Sequence, residues 1–133
     1  MLVRVLLRVL SVAILMSLSG CSLSHTLHLE IPNGTPVELE LITFDGTTVV
    51  ESKDVTLQPD APEYRRLQEW LARNQRGWSQ SLATNPAGGI VVRAGKLSLQ
   101  FVDGTVFTWT DKGQFNKAIR AEDYAFLKKP VGI

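Results

Sequence analysis

The sequence predicts an α+β domain: an antiparallel hairpin and meander sheet with one main amphipathic helix between the N-terminal and C-terminal strands. Three observations carry that prediction. Short segments alternate apolar and polar residues, as half-buried strands do. Two Asp-Gly pairs, at 45–46 and 103–104, separate such segments and supply hairpin turns. Between them Tyr64, Leu67, Trp70, Leu71 and Trp78 recur at the spacing of one helix face.

Residues 25–31 set Leu27, Leu29 and Ile31 against Thr26, His28 and Glu30, which predicts a half-buried strand. The run Pro32-Asn33-Gly34-Thr35-Pro36 is a dense turn signal. Alternation resumes over 37–44, with a shift near Leu41-Ile42 that suggests a bulge. Asp45-Gly46 predicts a tight turn, since Asp and Gly tolerate positive φ at its two central positions, and 47–51 the partner strand, with 55–57 either prolonging it or forming a short edge. A helix is expected to start at Asp60-Ala61-Pro62-Glu63, with Asp60 as cap, Pro62 in the first turn and Glu63 at the capping-box position. It should run to Gln75 or Arg76, stop at Gly77, and pair Glu69 with Arg73 four residues on.

A polar loop is expected over 78–89, followed by a meander of strands at 90–93, 97–102 and 105–110. A further strand at 115–119 and a short closing helix at 121–128 complete the expectation. The segment Leu39-Glu40-Leu41 leading to Asp45-Gly46-Thr47 is echoed, 58 residues later, by Leu97-Ser98-Leu99 leading to Asp103-Gly104-Thr105. Either a duplicated hairpin or convergence on a common turn chemistry accounts for the echo.

The chain has 133 residues, enough for one small domain and too few for a multidomain enzyme. One Cys excludes an internal disulfide framework, and with two His it argues against a closed zinc site. A formal net charge of +1 argues against nucleic acid as partner. The sequence contains no nucleophile elbow, phosphate loop or His-Glu-x-x-His motif, and no cofactor or metal is expected. His25 and His28, three apart on an expected strand, point to opposite faces. Asp45, Asp103 and Asp111 each stand where a turn needs them. A small hydrolase would need a convergent polar pocket, so the reading is non-enzymatic.

Residues 1–20 begin with Arg4 and Arg8, followed by an apolar run over 9–18 that is too short to span a bilayer stably. The pattern fits an export signal. It ends in Leu18-Ser19-Gly20-Cys21. This tetrapeptide, placed directly after the apolar run, resembles the lipobox of bacterial lipoproteins. The resemblance implies cleavage between Gly20 and Cys21 and lipidation of Cys21. It also implies anchoring through acyl chains, each buried CH₂ contributing about 0.8 kcal/mol. Ser22 in place of Asp implies sorting to the periplasmic face of the outer membrane. The expected organisation is a signal peptide at 1–20, a lipidated tether at 21–24 and one domain at 25–133. Without the signal, 113 residues carry 12 Lys+Arg and 13 Asp+Glu.

Charge divides along the chain. Residues 22–62 hold seven carboxylates against Lys53, whereas 63–96 hold six basic residues against Glu63 and Glu69. Two readings stand: the segments face each other within the domain, or the basic one meets an acidic partner. The region 73–89 is the most suggestive for binding, because Arg73, Arg76 and Trp78 open the longest expected loop. Trp78 also reads as a hydrophobic contact accompanying the helix stop. The segment 64–78 is similar to a stretch of small uncharacterised proteobacterial lipoproteins, a likeness that implies no activity. The expected function is a lipid-anchored envelope module binding a protein or glycan, of assembly-accessory, immunity or inhibitor type. The alternative is a structural lipoprotein whose basic helix contacts anionic headgroups.

Overall fold

A computed structural model of the chain describes residues 23–82 and 86–133. The expected signal segment and the Gly20–Cys21 junction lie outside the described residues. The strands are β1 (Val37–Phe44), β2 (Val49–Leu57), β3 (Ser79–Gln80), β4 (Gly89–Ala94), β5 (Leu97–Val102), β6 (Thr105–Thr110) and β7 (Gly113–Ala118). All neighbours are antiparallel, in one sheet of order β2-β1-β4-β5-β6-β7-β3. Helix α1 (Pro62–Arg73) falls between β2 and β3, and a 3-10 turn (Ala121–Tyr124) leads into α2 (Ala125–Lys128). The fold is α+β and mostly β, with a single continuous sheet.

Alternation explains which side of the sheet is covered. In register across the sheet, Leu39, Val92, Leu99, Thr108 and Phe115 form one row, each at most 2% exposed. The Thr108 hydroxyl donates to the Ser98 carbonyl (2.8 Å), which satisfies the one polar group in that row. Tyr64, Leu67, Trp70 and Leu71 of α1 join the same core. Trp70 meets Phe101 edge to face at 5.3 Å, and Phe101 stacks on Tyr124 at 5.1 Å. Each large side chain so buried contributes about 1.5–3 kcal/mol.

The helix ends differ from expectation. Asp60 does not cap α1: the N-cap is Ala61, which has no side-chain cap bond. The amide of Ala61 donates to Gln58 (3.0 Å), so the preceding turn closes one residue later and leaves Asp60 inside it. The helix stops at Arg73, short of Gln75, and Gly77, at φ +83°, follows three residues after the C-cap Asn74. The last carbonyls are met by side chains: Asn74 Nδ2 donates to Trp70, and Gln75 Nε2 to Leu71. Glu69 and Arg73 form no ion pair.

Residues 25–31 form no strand apart from an isolated antiparallel bridge between His25 and Trp78. Their alternation is real, since Leu27, Leu29 and Ile31 are buried, but the segment's hydrogen-bond partner is Gln75, two residues beyond α1, rather than a sheet neighbour. Gln75 holds Leu29 from both sides: its Oε1 accepts the Leu29 amide (2.8 Å) and its Nε2 donates to the Leu29 carbonyl (2.7 Å). The expected loop at 78–89 begins instead as β3, paired to β7 at Ser79–Asn116 and Gln80–Phe115.

Candidate functional site

Of the three residues expected to bind a partner, the structure removes one. Trp78 is fully buried, its indole N–H donates to the Asn74 carbonyl (2.7 Å), and its backbone bridges His25 in both directions. An aromatic ring with no exposed surface packs the core and cannot touch a partner. Arg73 and Arg76 are exposed, at the C-terminal end of α1 and in the segment after it. Lys117 of β7 joins them, its Nζ donating to the Arg76 carbonyl (2.7 Å). A cation there favours the negative end of the helix dipole.

The acidic and basic segments mostly do not pair with each other. The ion pairs among the described residues are His28–Glu30, Glu40–Arg93, and Arg120 with Glu122 and Asp123. Only Glu40–Arg93 (2.8 Å) joins the two segments. Arg93 is the largest influence holding the Glu40 carboxyl below its usual range, and the Ser52 hydroxyl (2.9 Å) adds to it. Arg65, Arg66, Arg73 and Arg76 have no carboxylate within ion-pair distance, and Arg66 lies instead over the Phe126 ring at 5.4 Å.

Sheet order places the acidic β1–β2 hairpin and the basic end of α1 at different edges. The chain enters at one edge, where the His25–Trp78 bridge lies next to β3. Leu23, just before this bridge, and Leu82, just after β3, are both strongly exposed. The opposite edge is β2. Six strand spacings of about 4.8 Å lie between the two, or roughly 29 Å measured along the sheet. At the far edge Phe44, Val49 and Val50 are exposed near the hairpin end, beside Asp45 and Glu51. The Val49-Val50 pair was the signal available in the sequence: adjacent strand residues face opposite sides, so one of the two had to lie off the buried face. No comparable signal marked Gln75, whose role depends on a partner 46 residues away.

A cleft of about 910 Å³ lies between residues 28–32 and the strand ends at 95–97 and 108–111. Leu29, Pro32, Leu97 and Trp109 line it. Among the described residues no group of three or more His, Cys, Asp or Glu is placed to hold a metal ion. No described helix is long and apolar enough to cross a membrane. The chain matches no protein-family description, no curated protein and no solved structure.

Proposed function

We propose that the chain is a small lipid-anchored protein of the bacterial envelope, held at the periplasmic face of the outer membrane. It acts by binding, as an assembly accessory, immunity protein or inhibitor does, and not by catalysis. One observation carries this reading: the charge of the domain is unspent. A single ion pair joins the acidic and basic segments, and Glu51 and Asp54 on the β2 edge and Arg73 and Arg76 after α1 have no ion-pair partner. Unpaired surface charge of opposite sign on separate edges suits steering towards, and recognition of, charged partners. In this reading α1 is the main amphipathic helix, with Tyr64, Leu67, Trp70 and Leu71 against the sheet and its arginines outward.

The test of the anchor is mass spectrometry of the mature N-terminus. The expected chain begins at Cys21 with acyl mass added. An intact Met1 or an unmodified Cys21 contradicts the reading.

The alternative, contact with anionic headgroups through the basic helix end, keeps a specific observation in its favour. Three residues (22–24) separate Cys21 from His25. At about 3.3–3.6 Å per residue, the four steps from Cys21 to His25 reach at most about 14 Å. The edge nearest that tether is the one with exposed Arg73, Arg76 and Lys117 nearby. The two readings are compatible, because the lipid would occupy one edge and a protein the other. The chain from residue 21 with Cys21→Ser should bind phosphatidylglycerol vesicles at low salt and lose most of that binding at about 0.5 M salt. Arg73→Glu with Arg76→Glu should weaken it. Equal binding to neutral vesicles would remove the headgroup contact.

A further inference from the structure

We propose that the β1–β2 hairpin edge is a docking site for a cationic, extended segment of another envelope protein, which adds to β2 as the next strand of the sheet. The proposal rests on the binding-module reading and names the surface and the chemistry of its partner.

Strand β2 is the terminal strand of the sheet, and no described strand pairs with its outer side. It is nine residues long, and its first six residues are all exposed. A long uncovered edge presents a row of backbone N–H and C=O groups as a template for one more strand. The edge contains no proline. The register shift between Thr43 and Phe44 leaves Val50 without a partner, so the bulge lies in β2 at Val50, and the edge is regular from Glu51 to Leu57.

The edge also projects. Strand β4 pairs with β1 only over Glu38–Ile42, so Thr43, Phe44, Val49 and Val50 have no sheet neighbour beyond their own hairpin. The exposed valines are 51% and 58% accessible, and they offer apolar surface beside the free backbone.

Charge selects the partner. Glu51 and Asp54 lie on β2 with no ion-pair partner, whereas the neighbouring Glu40 is already answered by Arg93. The one cation of the strand, Lys53, directs its Nζ towards Gly132 at the C-terminal end of the chain. An incoming strand therefore meets a free carboxylate on each face of the edge, Glu51 on one and Asp54 on the other, which favours Lys or Arg on both faces over an acidic sequence. The sheet also orients this edge. It is the sheet edge opposite the one where the tether enters, six strand spacings of about 4.8 Å away, or roughly 29 Å along the sheet.

The experiment uses the chain from residue 21 with Cys21→Ser, which retains the whole core, since that core runs from Leu27 to Val131. The probe is a blocked nine-residue peptide of Lys and Val with Lys on both of its faces. Two controls are its Glu-for-Lys counterpart and a version N-methylated at alternate amides. Amide hydrogen exchange and affinity are read together. The expected result is slowed exchange at β2 amides that face away from β1. The Glu peptide should bind at least about tenfold more weakly, as should the Lys peptide to Glu51→Lys with Asp54→Lys. The peptide methylated on its pairing edge should lose binding, a result that does not depend on any variant folding. Lys112→Glu, at an exposed position in the β6–β7 turn, should leave binding unchanged. Equal binding of Lys and Glu peptides, undiminished binding of the methylated peptide, protection on another strand, or no binding at millimolar peptide each overturns the proposal. Such a failure leaves the Cys21 mass measurement untouched, and an unmodified Cys21 leaves the peptide result untouched, so the two readings fail separately.

Discussion

The two Asp-Gly hairpins share a motif and differ in almost everything else. At Asp103-Gly104 the turn has two residues, with Val102 paired to Thr105 and φ of +22° and +77° at the two central positions. At Asp45-Gly46 only the glycine has positive φ, and the loop runs to Thr48. There the Asp45 side chain accepts the amides of Thr48 (3.0 Å) and Thr47 (3.3 Å), and its backbone amide donates to Thr48 (3.2 Å). These amide bonds, Thr48 first, hold the Asp45 carboxyl below its usual range.

Neighbours account for the difference. Strands β5 and β6 are flanked by β4 and β7, so their register is held from both sides. Strand β2 has β1 alone, and the β1–β2 end carries a bulge and a wider loop. Equal local chemistry thus yields a structural hairpin in the middle of the sheet and a projecting one at its edge. Stability should concentrate in the first and binding in the second.

The largest expected contrast comes from truncating one aromatic in each region. Phe101→Ala removes a ring packed between Trp70 and Tyr124 and should cost about 3–5 kcal/mol in chemical denaturation. Phe44→Ala, at a side chain 37% exposed, should stay within about 0.5 kcal/mol. A comparable loss at both positions would break the contrast.

A smaller effect is expected at Gln75. Gln75→Ala removes three hydrogen bonds of a partly buried amide and leaves the Leu29 amide and carbonyl without that partner. A loss of about 1–3 kcal/mol should follow, with faster amide exchange at Leu29 before any at β5. Gly104→Ala should cost about 1–2 kcal/mol through its positive φ alone, because the added carbon meets only ordinary contact, 3.7 Å from the Ile119 carbonyl.

The smallest effect belongs to the link between the two charged segments. The Glu40 carboxyl is depressed in the folded chain, so its contribution is present above the unfolded carboxylate pKa and is lost as pH falls through the folded one. Arg93 is half exposed, which limits the pair to below about 1 kcal/mol. Glu40→Gln should flatten the acid limb of the stability profile slightly and leave neutral-pH folding nearly unchanged.

Local patterns in the sequence located most of the strands. Alternation marked β1, β5 and β6 with their observed bounds, because each has one face in the core. It also marked Leu27, Leu29 and Ile31 as buried, but alternation does not say what a segment pairs with, and here the partner is Gln75, just past α1. Strand β3 escaped notice because both of its residues are polar and exposed. Asp60 carried a cap signal that the turn ending at Ala61 overrode. Arg73 and Arg76 were readable as surface residues, whereas the burial of Trp78 depended on a bridge to His25, 53 residues earlier. Which strand would be terminal was not legible at all, since strand order is set by long-range pairing rather than by any local pattern.

The central claim is that the two sheet edges meet different surroundings. It is tested most directly by photocrosslinking in the anchored chain, with a photoreactive amino acid placed at Val50 in one sample and at Arg76 in another. The account predicts a protein adduct at Val50 and a phospholipid adduct at Arg76. Lipid at Val50, or the same protein at both positions, would contradict it.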